Sequence, residues 1–178
     1  MVLDDLGAEV PVRDRARRIV SLVPSLTEAV ASIAADRIVG ATDYCTEPAT
    51  LDVPRVGGSK YPTVSRILDC EPDLVVANSE ENRREEVDAL RAAGVPVWVT
   101  AAPATVDAAL TSLQRLFTEC LGERAPDWLA AARRRWARSV PRWACAVIPV
   151  WRKPWVVIGR DTFAADVLLR LGVGNAYA

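Results

Sequence analysis

Asp73-Leu74-Val75-Val76-Ala77-Asn78-Ser79-Glu80-Glu81-Asn82 opens a segment that closes with Gly94-Val95-Pro96-Val97-Trp98-Val99-Thr100. Two apolar runs rich in β-branched residues bracket a stretch in which Val87, Leu90 and Ala93 recur at helical spacing. Strand runs without polar alternation are covered on both faces, and two of them joined by a helix make a right-handed parallel crossover. Gly94 stands where the helix must stop, and Pro96 puts the second strand near a sheet edge.

The same grammar extends to both sides. Arg18-Ile19-Val20-Ser21-Leu22-Val23 is a strand ended by Pro24; the helix behind it runs to about Ala35, with Ser25 or Thr27 as N-cap and Glu28 in the capping-box position. Arg37–Thr42 is the next strand. Between Asp43 and Thr63, Pro48, Pro54, Gly57, Gly58 and Pro62 punctuate a loop of about twenty residues, a length that usually marks either function or disorder; a short strand is expected within it at 52–56. Val64–Cys70 is a short helix. Strands alternating with helices predict an α/β fold with a Rossmann-like parallel-sheet lobe over residues 15–102.

From residue 103 the pattern is helical: Thr105–Leu121, then a second helix from Pro126 to about Ser139, together a connector over 103–140. Ala144–Val150 and Trp155–Ile158 are expected as antiparallel strands joined by Arg152-Lys153-Pro154, followed by a helix capped by Asp161 or Thr162 and ended by Gly172. Residues 141–178 then form a partial second α/β lobe.

Composition narrows the chemistry. The 178 residues carry 22 Lys+Arg against 23 Asp+Glu, a net charge of −1, with 51% apolar residues. That balance gives no general field for nucleic acid, and the Arg133-Arg134-Arg135 run with Arg138 reads as a solvated helix face. No histidine is present, which removes Ser-His and Cys-His pairs and histidine metal sites. Neither a metal site nor a tightly bound cofactor is expected. GxGxxG, GxxxxGK[ST] and GxSxG are absent. Of the four cysteines, Cys70, Cys120 and Cys145 sit in apolar context, while Cys45 lies in a polar loop and is the one thiol to watch. Met1-Val2-Leu3-Asp4-Asp5-Leu6-Gly7 has no apolar leader core, so the chain as written is expected either in the cytoplasm or with its leader already removed, and no apolar run suits membrane insertion.

Ligands of open parallel sheets bind outside the carboxyl ends of the strands. Four stretches fall there: Pro24–Thr27, Thr42–Cys45, Asn78–Asn82 and Thr100–Pro103. Ser25 and Ser79 read either as helix N-caps or as groups beside anion-attracting N–H donors. Glu80 and Glu81 read either as the start of a salt-bridged helix, with Glu80–Arg84 and Arg83–Glu86 pairs, or as ligand-facing acids. Trp151 and Trp155 flank the Arg152-Lys153-Pro154 turn and read either as core or lobe-packing residues or as flat rings that stack a flat ligand.

The segments Arg18–Glu28, Val39–Pro48, Val56-Gly57-Gly58 and Ile67–Ala77 resemble the type III solute-binding proteins in order and spacing. The resemblance implies two α/β lobes on a rigid helical backbone with ligand in the cleft between them. It also implies delivery of vitamin B12, ferric siderophore or haem to an ABC importer. Tyr44 falls where B12-binding members place a cleft tyrosine; two tryptophans that those members set against the corrin fall at Ser59 and Asn78, and the acid that docks on the transporter falls near Ser65. Family members are usually periplasmic or extracellular lipoproteins and continue for about another half-lobe, which makes 141–178 a truncated second lobe.

The expectation is therefore a binding protein for a small-molecule metal chelate, with an ABC permease as partner and neither nucleic acid nor membrane insertion. The proposed ligand residues are Ser25, Tyr44, Ser59, Lys60, Tyr61, Asn78, Glu80, Glu81, Trp151, Arg152 and Trp155. Lys60 and Arg152 suit carboxylates at the ligand edge. A cytosolic corrinoid- or chelate-processing enzyme on the same fold is the alternative, and a fragment whose second lobe cannot close is the third reading.

Overall fold

The chain begins with a hairpin that its sequence did not announce: β1 (Val2–Leu3) turns through Gly7 and returns as β2 (Glu9–Val10). In this computed structural model, which describes residues 2–12, 15–138 and 140–177, there follow β3 (Ile19–Ser21), α1 (Pro24–Ala34), β4 (Ile38–Ala41), α2 (Val64–Asp69), β5 (Leu74–Asn78), α3 (Arg84–Ala92) and β6 (Val97–Thr100). Next come α4 (Val106–Arg115) with a π-helical continuation (Leu116–Cys120), then α5 (Asp127–Trp136), β7 (Ala144–Ala146), β8 (Pro149–Trp151), β9 (Val156–Val157), α6 (Phe163–Arg170) and β10 (Val173–Asn175). Ser139, the expected end of the second connector helix, lies outside the described residues.

Two structural units emerge. The first runs through Ala102 and resumes over Ser112–Pro126; the second comprises Pro103–Thr111 and the chain from Asp127 onward.

The first unit is built on a four-stranded parallel sheet of order β4-β3-β5-β6. Val20, Leu22, Val75, Ala77, Val97 and Val99 join Ile67, Val87 and Leu90 of α2 and α3 in one buried cluster. The alternate positions Ile19, Leu74, Val76 and Trp98 are equally buried on the other face, where α1 packs against β3 and β4 and the π-helical turn against β6. Both faces are therefore dry, as the unbroken apolar runs required. β6 lies at the sheet edge, as Pro96 indicated, and the N-terminal hairpin covers it: Asp5 N–H donates to the Val99 carbonyl at 3.2 Å. Two aspartates pin that hairpin. Asp4 accepts from Leu6 and Ala8 N–H and pairs with Arg91 at 2.9 Å; Asp5 pairs with Arg115 at 2.5 Å. A covered edge cannot recruit a foreign strand.

Two caps differ from expectation. Val23 holds the N-cap position of α1 with Pro24 at its start, so Ser25 is simply an exposed first-turn residue. Proline needs no N–H partner there, which removes the demand for a side-chain cap. Arg83 precedes α3, so Ser79 is not its cap either; its hydroxyl accepts from Ala102 N–H at 3.1 Å. The strand expected at 52–56 is reduced to a single parallel bridge, Ala41 with Arg55.

In the second unit, β10 runs parallel to β7, and β8 pairs antiparallel with β9. The single strand expected over Ala144–Val150 is two strands in two sheets. Pro149 has no N–H with which to prolong a ladder and starts β8 instead. Thr162 caps α6, accepting from Ala165 N–H at 3.2 Å. Gly172 has φ +80°, and a Cβ there would lie 2.6 Å from the Pro141 carbonyl oxygen, so only glycine lets the chain turn from α6 into β10. Arg170 ties this unit together through Asp166 (2.7 Å), Asp107 (2.8 Å) and the Trp136 carbonyl.

Glu123 closes the first unit by bridging Arg15 (2.6 Å) and Arg37. The Arg15 hydrogen bond, with help from Arg37, holds its carboxyl below the usual carboxylate range. A depressed folded pKa contributes stability above the unfolded value, and that contribution is lost as pH falls through the folded one. Glu123→Gln is expected to cost about 1 kcal/mol at pH 7. Chemical denaturation repeated at descending pH should show the gap between wild type and variant narrowing below pH 4.5, the ordinary value, and vanishing under the depressed one.

Candidate functional site at the carboxyl edge of the first sheet

Each strand of the first sheet ends in a polar residue or runs directly into one. Ser21 closes β3, Thr42 follows β4, Asn78 closes β5 and Thr100 closes β6. Strand order reverses between β3 and β5, since β3 leads outward to β4 and the chain then crosses back to β5. A crevice opens at such a switch point and commonly admits a ligand.

Here the crevice is occupied by the protein. Asn82, 4% exposed, donates to the Leu22 carbonyl (3.3 Å) and the Ser59 carbonyl (2.7 Å) and accepts from Asn78 N–H (2.8 Å). Asn78 is equally committed: its oxygen accepts from Glu80 and Glu81 N–H, and its amide donates to the Thr100 hydroxyl and the Ala101 carbonyl. On the other side of β3 the Thr27 hydroxyl lies 2.7 Å from the Ser21 hydroxyl and 3.0 Å from Cys45 Sγ; Thr42 lies 3.1 Å from the same sulfur and 3.3 Å from the Ser59 hydroxyl. The result is a buried polar layer running from the end of β4 across to the end of β6.

The candidate ligand groups of this unit stand on that layer. Residues 57–62 form a hairpin-like tip closed by a Gly57–Pro62 bridge, with Gly57 at φ +97°. Ser59 is buried under the tip; Lys60 and Tyr61 are exposed on it. The Arg83 guanidinium lies 5.2 Å from the Tyr61 ring centroid and pairs with Glu85 and Glu86, fastening the tip to the start of α3. Glu85 is held below its usual range by its own backbone N–H and by Arg83. Tyr44 packs beside Gly58, within 3.5 Å of where a Cβ would sit, yet keeps 67% of its surface; Tyr61 keeps 68%. Glu80, Glu81 and Ser25 are exposed at the same edge. Of the expected pairs, Arg83–Glu86 forms at 3.7 Å, while Arg84 reaches forward to Asp88 at 3.4 Å.

Trp151, Arg152 and Trp155 belong to the second unit, on the β8–β9 hairpin, and all three are exposed.

Two of the four cysteines reverse their expected roles, while Cys70 and Cys120 are buried as expected. Cys45 is fully buried against Thr27 and Thr42, and Cys145 is exposed. The loop around Cys45 is polar, but its backbone is drawn in by Arg55, which donates to the Thr42, Cys45 and Leu51 carbonyls. Burial pushes the Cys70 and Cys120 thiols up, away from the reactive thiolate. Among the described residues no group of three or more Cys, Asp or Glu is placed to hold a metal ion, and no helix is long and apolar enough to cross a membrane. A cavity of about 510 Å³ opens at the opposite, amino edge beside Pro11, Arg17 and Pro96. Its Asp73 carboxylate is taken up by the Arg17 and Arg18 N–H groups, and its Arg15 by Glu123.

The periplasmic binding protein family model matches residues 19–178. The chain belongs to that family. A vitamin B12-binding protein of Yersinia pestis (strain Pestoides F) is 29% identical over 173 residues, covering 92% of this chain and 61% of its own length. A periplasmic haem-binding protein of Pseudomonas aeruginosa superposes with a TM-score of 0.74 at 27% identity, over 90% of this chain and 62% of that one. The periplasmic haem-binding protein of Roseiflexus sp. RS-1 superposes at 0.70 with 26% identity, over 92% of this chain and 66% of that one. The chain spans about three fifths of the length of the curated relatives it matches.

Within this member of the family, sequence reasoning placed Thr27, Thr42, Asn82 and Thr100 in the strand-end stretches but did not single them out as the residues that organise the edge, and it passed over Arg55. The signal for most of them was present, since a hydroxyl or amide residue follows each apolar strand run at the same relative place. Asn82 lies four residues past its strand, and nothing local distinguishes it from a turn asparagine.

Asn82→Ala leaves the Leu22 and Ser59 carbonyls and the Asn78 N–H without their partner, and is expected to cost about 2 kcal/mol. Urea denaturation measures that loss. Hydrogen exchange should show protection falling at Asp43 and Thr63 N–H, which anchor the 57–62 tip to Gly57 and Val56 carbonyls, before it falls in β5.

Proposed function

We propose that this chain captures a metal chelate (a corrinoid, haem or a ferric siderophore) for delivery to an ABC-type importer. The observation that carries this reading is the rim of the first sheet. Two exposed tyrosines, Tyr44 and Tyr61, stand on a floor whose polar groups bond to one another. A floor with its hydrogen bonds satisfied offers a ligand no crevice to enter, so the guest lies on the rim against flat aromatic area. Corrinoid and haem macrocycles suit that geometry best, because their contact is mostly face area and their polar groups sit at the edge; a ferric siderophore would meet the same rings with the flat arms of its ligand groups. Lys60, Glu80 and Glu81 supply edge contacts; Ser59 and Asn78 hold the tip and the turn in place. Trp151, Arg152 and Trp155 supply a second aromatic and cationic set on their own hairpin. The vitamin B12- and haem-binding names of the relatives support the same ligand class, and family membership supports the permease as partner.

Nothing in the geometry favours the enzyme alternative. Cys45, the thiol singled out from the sequence, is buried among hydroxyls. Binding that grips the guest on a rigid floor needs no proton transfer or nucleophile.

Absorbance and tryptophan-fluorescence titrations against cyanocobalamin, haem and ferric siderophores test the proposal. Binding to one of them at about micromolar Kd or tighter is expected. Tyr44→Ala and Tyr61→Ala are each expected to weaken it about tenfold; Tyr44→Ala should leave the unfolding midpoint in place, since its ring is largely solvent-exposed, while Tyr61→Ala also loses the Arg83 contact and should lower the midpoint slightly. Silence across the panel sinks the reading.

A further inference from the structure

Ala101, the first residue past β6, is held through both of its backbone groups. Its N–H donates to Asp5 Oδ2 at 3.3 Å, and its carbonyl accepts from the Asn78 side-chain amide at 3.2 Å. The same Asn78 nitrogen donates to the Thr100 hydroxyl at 3.0 Å, while its oxygen accepts from Glu80 N–H at 2.9 Å and Glu81 N–H at 3.3 Å. Ser79 N–H donates to the Thr100 carbonyl, and Ala102 N–H to the Ser79 hydroxyl. A continuous path of hydrogen bonds therefore runs from the N-terminal hairpin, through residues 100–102, to the turn that presents Glu80 and Glu81.

Asp5 is itself fixed from several sides. Its side chain is 9% exposed; it accepts from Arg115 at 2.5 Å and from the Ser112 hydroxyl, and its N–H donates to the Val99 carbonyl. Arg115 is seated in turn, 5.4 Å from the Trp98 ring centroid and 2.5 Å from the Leu3 carbonyl. A carboxylate so placed cannot follow a moving loop, so it sets where Ala101 stands. Without that acceptor Ala101 N–H turns to water, residues 100–102 loosen, and the Asn78 amide loses a fixed partner. Resting on the function proposed above, we infer that Asp5 is a positioning residue for the ligand rim: the N-terminal hairpin is a strap that holds the Glu80–Glu81 turn ready for the guest, acting through Ala101 and Asn78. A turn ordered in advance spares the guest the cost of ordering it.

Two measurements on the full chain test this, both well below the unfolding midpoint. Amide exchange followed by NMR should show Glu80 and Glu81 N–H exchanging about tenfold faster in Asp5→Ala. Affinity for whichever of cyanocobalamin, haem and the ferric siderophores binds best should fall about fivefold in the same variant. Ser112→Ala, a milder loosening of the same carboxylate, should move the same two amides about twofold. Asp5→Asn keeps an oxygen for Ala101 N–H and should restore most of both losses. Glu123→Gln, which weakens the same unit at Arg15 and Arg37, should move neither. Unmoved exchange at Glu80 and Glu81 in both Asp5→Ala and Ser112→Ala overturns the inference. So does wild-type affinity in Asp5→Ala, an Asp5→Asn variant no better than Asp5→Ala, or an equal loss in Glu123→Gln, and in each case chelate capture stands. Should no probe bind the unaltered chain, chelate capture falls, and the exchange of the two amides decides the strap by itself.

Discussion

The carboxyl edge of a parallel sheet ends in carbonyls and N–H groups that have run out of strand partners, and a dry sheet cannot leave them unpaired. In this chain Asn82 meets that demand at the point where β3 and β5 diverge. One amide satisfies the Leu22 carbonyl, the Ser59 carbonyl and the Asn78 N–H, and so joins two strands to the 57–62 tip. Everything above it depends on this junction. Tyr44 rests on Gly58, Tyr61 is tethered by Arg83, and the Glu80–Glu81 backbone hangs from the Asn78 side chain. The rim is exposed but not loose, because its anchor points are buried hydrogen bonds rather than surface ion pairs. That difference matters for binding: exposed aromatic rings cost least to engage when their backbone is already fixed.

The fold was legible where periodicity carries information and illegible where geometry is set at a distance. Leu74–Ala77 and Val97–Val99 could only be covered strands, and the Gly94 and Pro96 punctuation fixed the turn and the edge. The helix caps misled because serine is a good cap in isolation, whereas Pro24 makes a cap unnecessary and the Asx-type turn at Asn78 delays α3 until Arg84. The β1–β2 hairpin was hidden because two-residue strands have no period; its evidence is in Asp4 and Asp5, whose partners Arg91 and Arg115 are far away in sequence. β10 was hidden for the same reason, with Gly174 in its centre making room for Arg142.

The candidate site divides along the same line. Residue types drew attention to Tyr44, Ser59, Asn78 and the Glu80–Glu81 turn at the sheet edge, but could not tell which of them face solvent. Ser59 and Asn78 have the chemistry of ligand contacts, yet their polar atoms are engaged within the protein. Cys45 and Cys145 exchanged roles because the burial of a loop cysteine is decided by Arg55, ten residues on, gathering carbonyls around it. Hydrogen-bond saturation, invisible in a sequence, is what separates a residue that holds the site from one that meets the guest.

Whole-chain charge suffers from a similar averaging. A sum of −1 predicts no field, and for long-range steering that prediction is sound beyond a Debye length. At contact distance the guest meets local groups instead, and these are not neutral. Arg170, Arg133 and Arg142 are consumed by the architecture of the second unit, so counting arginines overstates its free charge in one place and conceals it in another. What remains collects at a two-stranded hairpin too short to serve as a core, whose tryptophans are left in solvent.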